Sequence, residues 1–168
     1  MHILFIGYGK TSRRVAKQLF EQGHQISTIS QSPKTDSFAT HLIQDVHQLD
    51  LTAITPIDWV YVLLSPKQST VEGYQQTYLD SVQPIVAALK QHPVKRIVVV
   101  SSTRVCGQNS GGIVDDETEI HPIDAQGKIL QQMEQAYFAA YPEQCTIIRP
   151  SGIYGTSVIR LQKMAASM

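Results

Sequence analysis

The fold is decided by the opening residues of the chain, Met1-His2-Ile3-Leu4-Phe5-Ile6-Gly7-Tyr8-Gly9-Lys10-Thr11-Ser12. An apolar run that stops at glycines predicts a short buried strand and a tight turn. From Lys10 to Gln22 the apolar residues recur at helical spacing, and Gly23 is placed to cap the helix end. The chain therefore begins with a strand, a glycine turn and a helix, in that order.

The rest of the chain repeats this alternation. Apolar runs bounded by turn residues predict five further strands, at residues 25–30, 41–44, 58–64, 94–101 and 145–149. Helical spacing predicts two more helices, at residues 71–91 and 125–140, and Pro84 is expected to kink or interrupt the first of them. The pattern indicates an α/β fold, a doubly wound (Rossmann-like) parallel sheet of about six strands with helices on both faces, over residues 1–155.

Composition excludes several classes of protein. The 168 residues suit one domain, and the 14 Lys and Arg balance the 14 Asp and Glu, so the net basic charge typical of nucleic-acid-binding domains is absent. No apolar run reaches the roughly 18 residues of a membrane span, and the N-terminal run lacks the features of a signal peptide. The two cysteines, Cys106 and Cys145, are too few for a disulfide framework, which predicts a cytoplasmic location. The six histidines show no metal-ligand spacing, so no metal site is expected.

The glycine turn has the spacing of a dinucleotide-binding fingerprint. Gly7 permits a tight turn, Gly9 lets the backbone approach a pyrophosphate, and Ser12 takes the place of the usual third glycine with a hydroxyl that can bond a phosphate. The free N–H groups of the helix start, at Lys10 and Thr11, favour an anion. These five residues are the predicted cofactor-binding turn. The alternative is a plain strand-to-helix turn that contains two glycines.

The end of the second predicted strand bears on which dinucleotide binds. NAD sites usually place an acidic residue there for the ribose 2′-OH, and residues 29–34 contain none. Ser30 and neighbouring hydroxyls, with Lys34 and Arg13, suit a 2′-phosphate and favour NADP(H) over NAD(H). The alternative is that these residues form an exposed polar loop.

Four later segments follow the strands in a recognisable order: Asp45-Val46, Ser101–Gly107, Asp116–Pro122 and Arg149–Gly155. They resemble the D-(apolar) pair, the SSxxVYG segment, the E-x-x-P loop and the RPxxxYG turn of extended short-chain dehydrogenase/reductases, the NAD-dependent epimerase/dehydratase group. The resemblance covers nearly the whole chain. It implies an NAD(P)-binding Rossmann domain and a sugar-nucleotide-like or small carbonyl substrate. The cofactor contacts that it implies are Asp45 and Val46 beside the adenine, Leu64 and Ser65 along the ribose, Ser102 near the nicotinamide, and Pro150.

The chain departs from that family at the catalytic pair. The family uses Tyr-x-x-x-Lys as its proton-transfer pair, and the corresponding positions hold Gln126 and Leu130. Gly127-Lys128 resembles the glycine–basic step of atypical members. Ser102 is then either a catalytic hydroxyl or a strand-end residue that bonds the local backbone. No catalytic residue is assigned from the sequence.

Two further expectations come from the resemblance. Residues 156–168 begin a helix where the family's C-terminal substrate lobe would start, so the chain is expected to be either a fragment or a member without that lobe. The family pairs two helices across a homodimer, and their apolar faces here are Val71, Tyr74, Tyr78, Leu79 and Val82, and Ile129, Leu130, Met133 and Tyr137. Packing against the sheet alone is the alternative.

Two functional hypotheses follow. The first is an atypical NAD(P)-dependent oxidoreductase or epimerase whose proton donor is a substrate hydroxyl, a water or a residue of another lobe. The second is a non-catalytic dinucleotide sensor or interaction module. The missing Tyr-x-x-x-Lys favours the second, and the SSxxVxG and RPxxxYG turns favour the first. A third outcome is that Ser12 blocks the turn and no dinucleotide binds.

Overall fold

The computed structural model describes residues 1–107 and 110–153, in which six parallel strands form one sheet. The strands are β1 (His2–Ile6), β2 (Gln25–Ser30), β3 (Thr40–Ile43), β4 (Trp59–Val62), β5 (Arg96–Val100) and β6 (Cys145–Ile148). Their order is β3-β2-β1-β4-β5-β6, and every neighbouring pair is parallel. The chain runs outward in both directions from β1, so a crevice opens at the carboxyl ends of β1 and β4.

The helices lie on both faces of this sheet. They are α1 (Lys10–Glu21), α2 (Val71–Tyr74), α3 (Val82–Leu89) and α4 (Ala125–Ala140), with a π-helical turn at Gln75–Leu79 and 3-10 turns at Val46–Gln48 and Thr103–Cys106. The alternation of β1 separates the two layers of the core. Ile3 and Phe5 pack with Ala16 of α1 on one face, whereas Leu4 and Ile6 belong to the cluster that includes α3 and α4 on the other. The predicted doubly wound fold is confirmed.

The predicted helix at residues 71–91 is broken, but not at the proline. The backbone N–H of Asp80 donates to the carbonyl of Gln75, five residues earlier, and α3 begins only at Val82. Pro84 lies in the first turn of α3, where the backbone N–H that proline lacks would have no partner within the helix. The interruption therefore precedes Pro84 and is a π-helical turn.

The other predicted boundaries differ from the structure by at most two residues. β2 and α4 have the predicted bounds, β3 lies one residue earlier, and β4, β5 and β6 are shorter than their apolar runs. The predictions for Tyr154, Gly155 and residues 156–168 lie outside the described residues.

Most of the apolar residues offered for a dimer are buried within one chain. Ile129, Leu130, Met133 and Tyr137 of α4 and Val82 of α3 are each at most 6% exposed, and all of them except Ile129 belong to the core cluster on that face of the sheet. Their packing against the sheet agrees with the alternative interpretation of these faces. No helix within residues 1–107 and 110–153 is long and apolar enough to cross a membrane.

Candidate functional site

A cleft of about 1010 Å³ lies at the carboxyl ends of β1 to β4. It occupies the crevice at which doubly wound sheets bind ligands. Seven of the twelve predicted cofactor residues line it: Gly7, Gly9, Ser30, Asp45, Val46, Leu64 and Ser65. The motifs after four different strands thus meet in one place.

The two glycines of the β1–α1 turn have different surroundings. Gly7 has φ +89°, and a Cβ there would collide with the carbonyl oxygen of Leu63. Gly7 therefore allows the turn to lie directly against the chain that leaves β4. A Cβ at Gly9 would meet nothing within 4 Å, and Gly9 lines the cleft. Gly9 therefore leaves open space where a ligand can approach the backbone.

The start of α1 presents backbone donors beside this space. Gly9 is the N-cap residue and has no side chain that could accept a hydrogen bond. The first-turn N–H groups at Lys10 and Thr11 are therefore not capped by a side chain. Ser12 is 2% exposed, and its hydroxyl donates to the carbonyl oxygen of Gly7 at 2.8 Å. The expectation that this hydroxyl faces a phosphate differs from the structure, because the side chain turns back to brace the turn. Lys10, Thr11 and Ser12 adjoin the cleft without lining it.

Asp45 is held on the cleft wall by three donors. The backbone N–H of His47 and the Nδ1 atom of its ring lie 2.9 and 2.8 Å from Oδ1 of Asp45, and Nε2 of Gln31 lies 3.0 Å from Oδ2. The hydrogen bonds from His47, first that of its backbone and then that of its ring, lower the pKa of the Asp45 carboxyl. This carboxylate is therefore oriented before any ligand arrives.

The loop after β2 brings an acidic residue that the sequence prediction did not place. Arg13 Nε donates to Oδ1 of Asp36 at 2.6 Å, and the Tyr8 hydroxyl donates to Oδ2 at 3.2 Å. Partial burial acts to raise the pKa of the Asp36 carboxyl, but the hydrogen bonds and charge of Arg13 and the bond from Tyr8 outweigh it and lower that pKa. Burial, reinforced by Asp36, raises the pKa of Tyr8 to about 12. Ser30 donates to the carbonyl of Ser32 at 2.8 Å, within the same loop.

Ser102 and Pro150 lie outside the cleft lining. The Ser102 hydroxyl accepts from the backbone N–H of Arg104 at 3.2 Å, which is the local bonding that one of the two interpretations expected. The carbonyl of Pro150 accepts from the N–H of Thr103, so the turns after β5 and β6 are joined. Arg149 donates to both carboxylate oxygens of the buried Glu134 of α4 at 2.8 to 3.2 Å. These bonds fix the start of the turn that follows β6.

The positions of the family's proton-transfer pair have structural roles here. Gln126 accepts from Nη2 of Arg104 at 2.7 Å and donates to the carbonyl of Ser69 at 2.9 Å, so its amide links three segments. Leu130 is 2% exposed within the core. Lys128 is exposed and lines a separate shallow groove with residues 120–123, as its helical offset predicts.

Arg104 lies at the centre of a cluster with Tyr74, Asp124 and Gln126. Its guanidinium pairs with Asp124 at 2.9 Å and lies 5.6 Å from the ring centroid of Tyr74. The hydrogen bonds from Arg104 and from the N–H of Gly127 lower the pKa of the Asp124 carboxyl. Sequence reasoning missed this role of Arg104, because its partners lie 20 and 22 residues away.

Both cysteines are free thiols. Cys106 is buried in the core, and burial raises the pKa of the Cys145 thiol to about 11. Within residues 1–107 and 110–153, no group of His, Cys, Asp and Glu is arranged to hold a metal ion.

The residues of the cleft fit a dinucleotide. The open space at Gly9, the uncapped start of α1 and the row of strand ends give room for an extended ligand and donors for its phosphates. The cleft lining holds groups of both signs, because Asp45 pairs there with His47 and Lys67 also lines it.

Comparison with known proteins agrees with this geometry. The NAD(P)H-binding family matches residues 7–161. Protein YeeZ of Escherichia coli K12 is 28% identical over 106 residues, which are 63% of this chain and 38% of YeeZ. A Methylobacillus flagellatus structure, assigned as an NAD-dependent epimerase/dehydratase, has a TM-score of 0.79 at 30% identity over 98% of this chain and 59% of its own.

A more distant structure shows the same fold. UDP-glucuronic acid 4-epimerase from Bacillus cereus, solved in complex with NAD, has a TM-score of 0.78 at 18% identity, over 92% of this chain and 58% of its own. The chain thus spans less than two thirds of the length of each of these proteins. Its Rossmann-like sheet is that of the epimerase/dehydratase structures, and the match over residues 7–161 shows that the chain belongs to the NAD(P)H-binding family.

Proposed function

We propose that the chain binds a nicotinamide dinucleotide in the cleft at the β1–α1 turn. We further propose that the protein is an oxidoreductase or epimerase that acts on a sugar-nucleotide-like or small carbonyl substrate. The observation that supports this most is the open space at Gly9 beside the uncapped start of α1. The epimerases among the similar structures, one of them solved with UDP-glucuronic acid and NAD, support the substrate class.

The residues of this chain would bind and orient the dinucleotide. The first-turn N–H groups of α1 attract the pyrophosphate, and Gly9 admits it close to the backbone. Asp45 and Val46, with Leu64 and Ser65, form opposite parts of the cleft wall along which the two nucleosides lie. When bound, the nicotinamide supplies hydride transfer. Ser102 and Pro150 are proposed to adjoin its ring, and their joined turns set that end of the site.

The proton donor of such an enzyme is not residue 126. An amide has no proton of useful pKa, and both ends of the Gln126 amide are already bonded. We propose that the proton passes instead through a substrate hydroxyl, a water or a residue outside the described part of the chain.

A non-catalytic dinucleotide sensor or interaction module is the second candidate. The burial of Leu130 and the bonds of Gln126 favour it, because both positions of the catalytic pair have become structural. The two candidates share the binding site and differ in whether reduced nicotinamide is consumed or formed when a substrate is added.

We also propose that the dinucleotide is NADP(H), on the basis of Ser30, Lys34 and Arg13 near the end of β2. The Arg13–Asp36 pair opposes this preference, since Arg13 must leave Asp36 to bind a 2′-phosphate. Cytoplasmic location, a homodimer and a Rossmann domain over residues 1–155 remain predictions.

Calorimetric titration of the purified chain with NADP(H) and NAD(H) tests the binding site. We expect micromolar binding of at least one, with NADP(H) the tighter. No heat from a protein shown to be folded would overturn the proposal. Absorbance of the reduced nicotinamide, followed while UDP-sugars and small aldehydes or ketones are added, then separates the two candidates. Turnover supports the enzyme, and binding without turnover supports the sensor.

A further inference from the structure

His47 joins two walls of the cleft. Its ring Nδ1 lies 2.8 Å from Oδ1 of Asp45, in the connection after β3, and its Nε2 lies 2.9 Å from the carbonyl oxygen of Gln76. Asp45, His47 and Gln76 all line the cleft. The imidazole therefore bridges the β3–β4 connection to the π-helical turn that follows α2.

Both partners of the ring are acceptors. A neutral imidazole has one N–H and one lone pair, so it can satisfy only one of them, whereas the imidazolium donates to both. The hydrogen bond to Asp45 raises the pKa of His47 above its ordinary value. Partial burial opposes this shift, and the Gln76 carbonyl and the charges of Asp45 and Asp80 add to it. Lys67 and Glu72 are the other charged residues of the cleft lining. The surroundings therefore favour the cation.

The π-helical turn that His47 contacts through Gln76 is an unusual element. A π-helical turn is rare and is frequently found at functional sites. Here the widened turn brings Gln76 and Thr77, with Asp80 after it, to the cleft. Its position relative to β3 is set across the cleft by the His47 bridge, because the ring reaches Gln76 over a separation of 29 residues.

We propose that His47 is a positioning residue of the dinucleotide site, whose imidazolium ties Asp45 to the π-helical turn and holds the cleft in its binding shape. This inference rests on the proposed function. As the pH rises through the titration of His47, one donor is lost and a lone pair then faces an acceptor. The bridge opens on that side, and affinity for the dinucleotide falls.

The test is calorimetric titration with NAD⁺ between pH 5.5 and 8.5. NAD⁺ is the probe because it lacks the 2′-phosphate of NADP⁺, which itself titrates near pH 6. For the wild-type chain we expect affinity for NAD⁺ to fall about tenfold across this range, as the imidazolium and one of its two hydrogen bonds are lost. His47→Gln should bind more weakly at low pH and show a flat profile. His47→Arg, a permanent cation with several donors, should restore binding without the pH dependence.

His121→Gln, in the loop outside the cleft, is the matched control and should keep the wild-type profile. Binding with the same pH profile in the wild type and His47→Gln would overturn the role of His47 and leave the proposed function standing. A folded wild-type chain that binds neither NAD⁺ nor NADP⁺ at any pH would overturn the proposed function together with this inference. Thermal melts of each variant show that the chain is folded in the titration.

Discussion

Gly7 and Gly9 are separated by one residue, yet the structure gives them unrelated reasons to be glycine. Gly7 is required by the backbone, through its positive φ and its contact with the Leu63 carbonyl. Gly9 has no such constraint and faces open space in the cleft. Substitution of Gly7 should therefore lower the stability of the fold, and substitution of Gly9 should weaken binding of the dinucleotide.

We expect Gly7→Ala to lower the free energy of unfolding by roughly 3 kcal/mol, from a strained φ and a steric clash. Gly9→Ala should leave the melting temperature nearly unchanged and weaken dinucleotide binding by about tenfold, or 1.4 kcal/mol. Thermal melts and calorimetry of both variants check this. Gly23→Ala is the control: its φ of +86° costs stability, but it lies away from the cleft and should bind normally. Equal loss of stability at Gly7 and Gly9 would contradict this account.

The Arg13–Asp36 pair leads to a second prediction at the level of single residues. Asp36→Asn removes the charge that holds Arg13, and the 65% exposed Arg13 side chain is then free to meet a 2′-phosphate. We expect the ratio of NADP⁺ to NAD⁺ affinity to rise, with little change in stability because the pair is largely exposed on the Arg13 side. Titrations with both dinucleotides check this.

Asp36→Asn in an Arg13→Gln background is the matched control for that prediction. If the ratio depends on releasing Arg13, the second substitution should then have no effect. An unchanged ratio in Asp36→Asn alone would show that Arg13 does not reach the cofactor.

At the scale of elements, the packing of α4 shows why a lysine substituted at position 130 would not restore the family's catalytic pair. Leu130 is 2% exposed and belongs to the core, so Leu130→Lys buries an unpaired charge. We expect this variant to lose roughly 3 to 5 kcal/mol of unfolding free energy. Chemical denaturation measures it, with Lys128→Gln on the exposed face of α4 as the control that should be neutral. A Leu130→Lys chain as stable as the wild type would show that the helix can turn this position toward the cleft.

The strands and helices could largely be predicted from the sequence, because apolar runs bounded by turn residues mark the strands and helical spacing marks α1 and α4. The π-helical turn could not, since Gln75–Leu79 differs from an α-helix only by one hydrogen-bond step, and Pro84 was the visible signal nearby. The predicted β4 is too long because Leu63 and Leu64 continue its apolar run past Val62, and the predicted β5 is too long because Val94 precedes the first strand residue, Arg96.

The candidate site was predictable where a motif follows a strand. Gly7, Gly9, Asp45 and Leu64 meet because parallel strands end at one edge of the sheet. Asp36 and His47 were missed, because their significance comes from partners that the loops bring together. Asp36 is an acidic residue shortly after β2, and His47 stands two residues after Asp45; those spacings were the available signals.

For the whole molecule, pairs between distant elements set the response to acid. Asp58 accepts from Lys95 and from the N–H of His2, and these bonds lower the pKa of its carboxyl. The carboxyls of Asp36, Asp45 and Asp124 also have lowered pKa values. A depressed pKa contributes stability above the unfolded value, near 3.9 for Asp, that is lost as the pH falls through the folded value.

His47 and His92 have opposite effects on stability as the pH falls below neutrality. The raised pKa of His47 stabilises the fold below about pH 6.5 and this contribution is lost as pH rises, whereas burial lowers the pKa of His92 and destabilises the fold over the same acidic range. We therefore expect a melting temperature that is nearly flat from pH 5 to 8 and falls steeply below about pH 4. Melts followed by circular dichroism between pH 2.5 and 8 check this. Asp58→Asn should reduce the acid sensitivity, and a wild-type melting temperature that stayed constant to pH 2.5 would show that these pairs contribute nothing to the folded state.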